Sequence, residues 1–377
     1  MNIFTTVISG GLEQLTQVIQ ADERLLVLTD ANVIKLDKVQ SLLSTLDESG
    51  RVYELIDNLP AEPTDEDVLS LIGRIPTNVD TVLGIGGGSV LDISKLVSVL
   101  YKEEDKAACF QRLLDGETPQ SRIKLLMVPT TAGTGAEATP NSIIALPEKA
   151  TKVGIISPVM LPDYVLLAPE LTTSMPAHIS ASTGIDALCH LLECYTASIA
   201  NPVGDNYALI GMQKFFANVE QLIEQPDNLM VRLNLLWASY YGGASISHSG
   251  THLVHALSYP LGGKYKIPHG LANSLLLVPV VKHIAAQSEE KLANIYRLLP
   301  DADHSLGQAA MVSALIAYLE SLVLRLGLPT KLNAIGINRD QLEDLATSAM
   351  QVTRLLNHSP VAVDKADVLS LYQSITD

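Results

Sequence analysis

Between Asp80 and Tyr101 the chain reads DTVLGIGGGSVLDISKLVSVLY, an apolar strand pattern that runs into three consecutive glycines and leaves them as a helix pattern. A strand joined to a helix by so short a turn does not fold back as a hairpin. The helix packs on the sheet and returns the chain to the edge it came from, so the following strand is parallel. The same grammar recurs nearby. RLLVLTD (24–30) reads as a short buried strand and DVLSLIGRI (67–75) as a helix with an acidic first turn, while KLLMVPTT (124–131) is a strand ending in the turn-forming AGTG. NSIIAL and KVGIIS, separated by PEKA, predict a β-hairpin. The expected fold is α/β, a Rossmann-like and mostly parallel sheet with helices on both faces.

From about Ser180 the grammar changes. ASTGIDALCHLLECYTA, YALIGMQKFFANVEQLI, NLLWASYYGGASI and MVSALIAYLESLVLRLG each carry apolar residues at helical spacing, and little there reads as strand. A chain of 377 residues exceeds the size at which one core keeps growing, so two domains are expected: 1–178 as α/β and 179–377 as all-helical. Hydrophobic residues at 47% against 18% charged fit well-buried globular domains. A formal charge of −16 argues against nucleic acid or an anionic membrane as a partner. The N-terminus lacks the pattern of a secretory leader, and no apolar run reaches the ~20 residues a spanning helix needs. Three cysteines without a Cys-x-x-Cys pair give no disulfide framework, and the cytoplasm is the expected compartment.

Two turns carry candidate cofactor chemistry. GIGGGSVLDISK places Gly86, Gly87 and Gly88 at a strand end and Ser89 at a helix start, where free N–H groups and the helix dipole favour a phosphate. It is not the dinucleotide fingerprint with spaced glycines, and a tight turn alone would need the same residues. VPTTAGTGAE adds the hydroxyls of Thr130, Thr131 and Thr134 at another strand end, and two such turns in one sheet predict a nucleotide site. Asp30, closing the early strand, either accepts from a ribose 2′-OH, favouring NAD over NADP, or caps the segment that follows.

The candidate metal chemistry lies in the second half. Asp186 and His190, in TGIDALCHLLE, stand four apart and project from one helix face. His255 and His269 follow in HLVHALSYPLGGKYKIPHG. One aspartate and three histidines suit Fe²⁺ or Zn²⁺ with room for substrate. His248 and His252 are rivals by spacing alone, whereas His178, His283, His304 and His358 read as structural.

With these residues in place, the chain resembles the iron-containing alcohol dehydrogenases, the family that includes lactaldehyde reductase and 1,3-propanediol dehydrogenase. GGGSVLDISK, PTTAGTGAE, GIDALCHLLE and HALSYPLGGKYKIPHGLAN arrive in the family's order and span nearly the whole chain. The resemblance implies a dehydroquinate synthase-like fold and a hydride transfer between NAD(H) and a small alcohol or aldehyde. It implies Asp186, His190, His255 and His269 as ligands of Fe²⁺, with Zn²⁺ found in some members. It further implies cofactor contacts at Asp30, Gly87, Gly88, Ser89, Asp92, Thr130, Thr131, Thr134 and Lys152, and a homodimer or larger homo-oligomer.

Two positions depart from the pattern. Tyr259 stands where many members carry a histidine proposed to relay the substrate's proton, so it is the candidate catalytic side chain, as proton donor or as pocket wall. Ala168 stands where members usually carry Asp. The SYP version of the motif is similar to the branch near hydroxyacid–oxoacid transhydrogenase, which brings 4-hydroxybutyrate and succinate semialdehyde into the substrate range. The rival readings are a glycerol dehydrogenase-like or dehydroquinate synthase-like enzyme, a metal-free maleylacetate reductase-like enzyme, and a non-enzymatic metal or nucleotide sensor. The four-ligand set speaks against each of them.

Overall fold

The computed structural model describes residues 5–149 and 151–376. By contacts it divides into two compact units, the first running to Thr131 and resuming over Gly135–Met175, the second comprising Ala132–Thr134 and the chain from Pro176.

The first unit contains eight strands: β1 (Thr6–Ser9), β2 (Leu25–Leu28), β3 (Tyr53–Ile56), β4 (Thr81–Gly86), β5 (Lys124–Pro129), β6 (Asn141–Leu146), β7 (Thr151–Ile156) and β8 (Tyr164–Leu167). Six form a sheet in the order β1-β8-β5-β4-β2-β3, every neighbouring pair parallel. β2 and β4 are buried along their whole length, which is why LLVL and TVLGIG are continuous apolar runs and not alternating ones. The remaining two strands make the expected hairpin, β6 antiparallel to β7 with Asn141 opposite Ile156. A 3-10 turn over Pro147–Lys149 lies in its connection, and Ala150 of the expected PEKA link falls outside the described residues. β1, β3 and β8 are four-residue strands that the periodicity did not predict.

The glycine run does what its position implied. The Gly88–Leu100 helix starts directly behind β4 and is buried along most of its length. A methyl on Gly86 would lie 2.6 Å from Val90 Cβ, so the bare glycine is what lets this helix rest on the strand. The chain places β3 on one side of β2 and β4 on the other. Strand order therefore reverses between β2 and β4, and the crevice beyond their carboxyl ends is the ligand position of such sheets. The Asp65–Ile72 helix is fixed by a reciprocal capping box between Thr64 and Asp67.

Among the described residues the second unit is helical and has no strand. Its central helix, Ala177–Thr196, is apolar on nearly every side and is buried from Ser180 onward except at Thr183, as a core helix must be. Pro202–Glu224 and Leu229–His248 pack beside it, their starts capped by Asn201 and Asn228. Leu253–Tyr265 and His269–Ile284 follow, then Glu289–Tyr296, Gln308–Arg325 and shorter helices to Lys365–Ser374. Gln308–Arg325 is long and apolar enough to cross a membrane by composition. Its buried residues Met311, Val312, Leu315, Leu319, Leu322 and Val323 recur every three or four positions, the stripe of an amphipathic helix facing a core.

Candidate active site

Three helices bring four candidate ligand atoms together in the second unit. Asp186 and His190 project from one face of Ala177–Thr196, His255 from Leu253–Tyr265, and His269 from the first turn of His269–Ile284. All four donor atoms lie within 4.8 Å of one another. Asp186 Oδ1 is 3.8 Å from His190 Nε2, 3.7 Å from His255 Nε2 and 3.5 Å from His269 Nε2. Donors arranged tetrahedrally about an ion at ~2.0–2.2 Å sit roughly 3.4 Å apart, so the spacing fits one first-row divalent cation. Asp186, His190 and His255 are buried, whereas the His269 side chain is about one-third exposed, leaving an approach from that side.

The rings are aimed from behind. His190 Nδ1 lies 3.2 Å from the carbonyl oxygen of Gly133, one of the three residues that join the second unit from the Thr-Ala-Gly-Thr turn. His255 Nδ1 is 2.5 Å from Glu193 Oε2. Asn273, one turn after His269, approaches from the donor side: its Nδ2 lies 2.7 Å from Asp186 Oδ1, 3.3 Å from His255 Nε2 and 3.2 Å from His269 Nε2. Burial by itself would raise the Asp186 carboxyl. The charges of His190 and His269 and the contact with His255 outweigh it and hold the group well below the usual carboxylate range. Burial disfavours a charged His255, but the carboxylates of Asp186 and Glu193 outweigh it and lift the imidazole to about 9. Burial pushes His190 down instead, so the carboxylates favour positive charge at His255, where a metal cation would take the place of the proton.

His248 and His252, the rivals by spacing, are elsewhere. His248 is exposed at the end of its helix and stacks on Tyr207. His252 is fully buried, with Nε2 2.9 Å from Thr196 Oγ1. Tyr259 lies one turn beyond His255, half-buried, its ring centroid 6.1 Å from that of His269.

In the first unit the two glycine-containing turns end the adjacent strands β4 and β5, tied by a hydrogen bond from Thr130 N to Gly86 O. Gly87 is the N-cap of Gly88–Leu100 and offers no side chain to the first turn, which suits a phosphate held by backbone N–H groups. Thr131 lies beside Gly87, while Thr134 belongs to the second unit. Asp30, at the end of β2, accepts from Asn32 N and Val33 N through Oδ1. Its Oδ1 therefore closes the turn that follows β2. Asp92 is mostly committed inside the unit. Its Oδ1 takes the fully buried Lys95 ammonium at 3.0 Å and Oδ2 accepts from Ile143 N. Glu137, at the end of the second turn, is buried with Oε1 unpaired, and burial pushes its carboxyl up to about 7. Ser89 Oγ accepts from Glu62 N, and Glu62 pairs with Lys152 at 3.3 Å, so one loop residue with positive φ touches two expected cofactor contacts.

The family models for the iron-containing alcohol dehydrogenases match residues 5–169 and, as the C-terminal part of the Fe-containing alcohol dehydrogenase family, 180–376. The chain belongs to the iron-containing alcohol dehydrogenases. Long-chain-alcohol dehydrogenase 1 of Geobacillus thermodenitrificans is 31% identical over 97% of this chain and 93% of that protein. A 4-hydroxybutyrate dehydrogenase of Clostridium kluyveri is 29% identical over 83% and 84%. The solved iron-containing alcohol dehydrogenase of Thermotoga maritima superposes with a TM-score of 0.84 at 30% identity, covering 98% of this chain and 97% of that one.

As an iron-containing alcohol dehydrogenase, the protein is a metal-dependent oxidoreductase that moves hydride between NAD(H) and an alcohol or aldehyde. The donor set of one carboxylate and three imidazoles fits the family's iron. Sequence reasoning passed over Glu193 and Asn273. Their signal was faint but present: Glu193 is a charge seven residues after Asp186 on a mostly apolar helix, and Asn273 stands four after His269.

Proposed function

We propose that Asp186, His190, His255 and His269 hold the catalytic ion and that the β2, β4 and β5 ends hold NAD, for oxidation of small primary alcohols and reduction of the matching aldehydes. The observation that carries this reading is the convergence of four ligand atoms from three helices within 4.8 Å. When bound, the ion supplies Lewis acidity at the substrate oxygen and NAD supplies the hydride acceptor. The chain's part is positional. Gly133 O and Glu193 fix two rings, Asn273 fixes the aspartate, and the open first turn at Gly88–Val90 is set to receive the pyrophosphate. Asp30, whose Oδ1 is taken by the following turn, would accept from an adenosine ribose through Oδ2 and repel a 2′-phosphate, which favours NAD over NADP. Tyr259 forms a wall beside His269 and limits substrate size. A phenol with a pKa near ~10 is a poor proton relay at neutral pH.

The 4-hydroxybutyrate dehydrogenases among the relatives, with the Tyr259 motif, extend the substrate range to short ω-hydroxy acids and their semialdehydes. The reading includes a cytoplasmic protein, in keeping with three free and buried cysteines. It also includes a homo-oligomer, since exposed apolar side chains such as Met230, Val203 and Ile223 give a second copy something to cover. The deciding experiment is metal analysis of the purified protein joined to an NADH-linked screen of aldehydes and semialdehydes. Stoichiometric iron or zinc with chelator-sensitive turnover is the expected result. Full turnover in a metal-free preparation would sink the mechanism.

A further inference from the structure

Glu193 is the most deeply buried carboxylate of the second unit, with no accessible side-chain surface. It stands on Ala177–Thr196 three residues after His190, and it reaches across to the helix that carries His255. Oε2 meets His255 Nδ1 at 2.5 Å and Oε1 accepts from Val254 N at 2.5 Å. Val254 is in the first turn of Leu253–Tyr265, whose N-cap residue His252 makes no side-chain cap. One carboxylate therefore caps the helix and grips the imidazole two residues inside it. His252 closes the other side. Its Nδ1 is 3.1 Å from Oε1 but lies off the direction of a hydrogen bond, and its Nε2 reaches Thr196 Oγ1 on Glu193's own helix.

From this arrangement we infer that Glu193 is a positioning residue of the metal centre, fixing His255 in the tautomer that ligates and supplying the second negative charge that a divalent cation balances. The inference rests on the ligand assignment proposed above. Its physical content has two parts. A proton on Nδ1, held by Glu193, leaves the Nε2 lone pair directed at Asp186 and the other ligands. Among the described residues, only histidines lie within ion-pairing distance of Asp186 or Glu193. Two interior carboxylates set among imidazole nitrogens make a site that a divalent cation suits.

Glu193→Gln tests both parts while keeping the shape. With its oxygen on Val254 N, the amide NH₂ faces Nδ1 and drives His255 to the tautomer whose Nε2 carries the proton and cannot ligate. With its oxygen on His255, the NH₂ confronts the Val254 N–H. Neither orientation satisfies both partners.

The experiment measures Co²⁺ affinity of the full-length protein by competition with a chromophoric chelator, and the visible spectrum of the Co²⁺ form. Wild type, Glu193→Gln and His255→Ala are compared. Glu193→Gln should weaken Co²⁺ binding about 10–100-fold and alter the spectrum, whereas a residue serving only to stabilise the fold would leave the spectrum of the loaded form unchanged. His255→Ala should weaken binding at least as much. Wild-type affinity and spectrum in Glu193→Gln, with loss in His255→Ala, would overturn the role of Glu193 and leave the ligand assignment intact. Unchanged binding in His255→Ala would overturn the assignment itself. Should Glu193→Gln fail to fold, histidine side-chain NMR of the Zn²⁺-loaded wild type decides: Glu193 requires His255 to carry its proton on Nδ1, and a proton on Nε2 refutes it.

Discussion

Gly270 follows the proposed ligand His269, and the space above its Cα is filled by backbone. A methyl there would lie 2.7 Å from the Ser182 carbonyl carbon, closer still to its oxygen, and 3.3 Å from Thr183 N. None of these atoms can rotate aside. Ordinary contact with the oxygen therefore requires the start of His269–Ile284 to withdraw from Ala177–Thr196 by about 1 Å. His269 would be carried with it, away from Asp186, which sits on the other helix 3.5 Å from its Nε2. Metal–ligand distances tolerate only ~0.2 Å, so a displacement of this size loosens or breaks one bond. Overpacking of this kind costs roughly 1–3 kcal/mol, which corresponds to a metal Kd raised about 5–150-fold if the cost falls on the bound state. The assay is Co²⁺ titration of Gly270→Ala against a competing chelator, with Tm measured in excess chelator to capture any cost in the ion-free fold. Gly307→Ala is the control, since a methyl there meets nothing within 4 Å. If Gly270→Ala binds Co²⁺ like wild type and melts at the same temperature, the close approach of these helices does not position His269.

Tyr259→Phe should retain kcat within several-fold and Tyr259→Ala should widen the aldehyde range; a fall of ~10²–10⁴-fold in the Phe variant would show a proton relay instead. Asp30→Gly should improve NADPH use relative to NADH by a few-fold to about a hundredfold, the effect of ~1–3 kcal/mol, measured as the ratio of kcat/KM values. It should also lower Tm, because Oδ1 caps Asn32 and Val33. Glu137 binds its proton more tightly when folded, near 7 against an ordinary 4.5. Its contribution is therefore complete below about 4.5 and lost as pH rises through 7. Glu137→Gln should accordingly be the more stable protein at pH 8, by up to about 3 kcal/mol, with the advantage shrinking toward pH 5. A gap in Tm that does not change with pH would contradict this assignment.

The legible parts of the fold were those whose signal is local. β2, β4 and β5 are unbroken apolar runs because both sheet faces are covered, and the helix after the glycine turn begins where the apolar period changes. β1 and β3 were hidden because they lie at the sheet edges, partly exposed, and show no continuous apolar run, while β8 contributes only YVLL ahead of a proline turn. In the site, Asp186 and His190 showed themselves as an i,i+4 pair. Glu193 did not, since its partner lies 62 positions away on another helix and no local pattern encodes such a contact. The same holds for Asp92. Its place in GGGSVLDISK pointed to the cofactor, but its carboxylate is spent on Lys95 and on a backbone N–H in β6. Nothing in the structure accounts for Ala168 beyond its complete burial.

The four proposed ligand atoms come from three helices that are separate in the chain, Asp186 and His269 standing 83 positions apart. A single ion held by all of them would work as a reversible cross-link, closing loops that the unfolded chain leaves open. Its contribution depends on supply, growing with the logarithm of free metal and reaching about 2.7 kcal/mol at a hundred times Kd. Melting temperature would then serve as a gauge of occupancy. A cell short of the metal would lose the folded enzyme along with its activity, and the ion-free chain would be the form first taken by proteases.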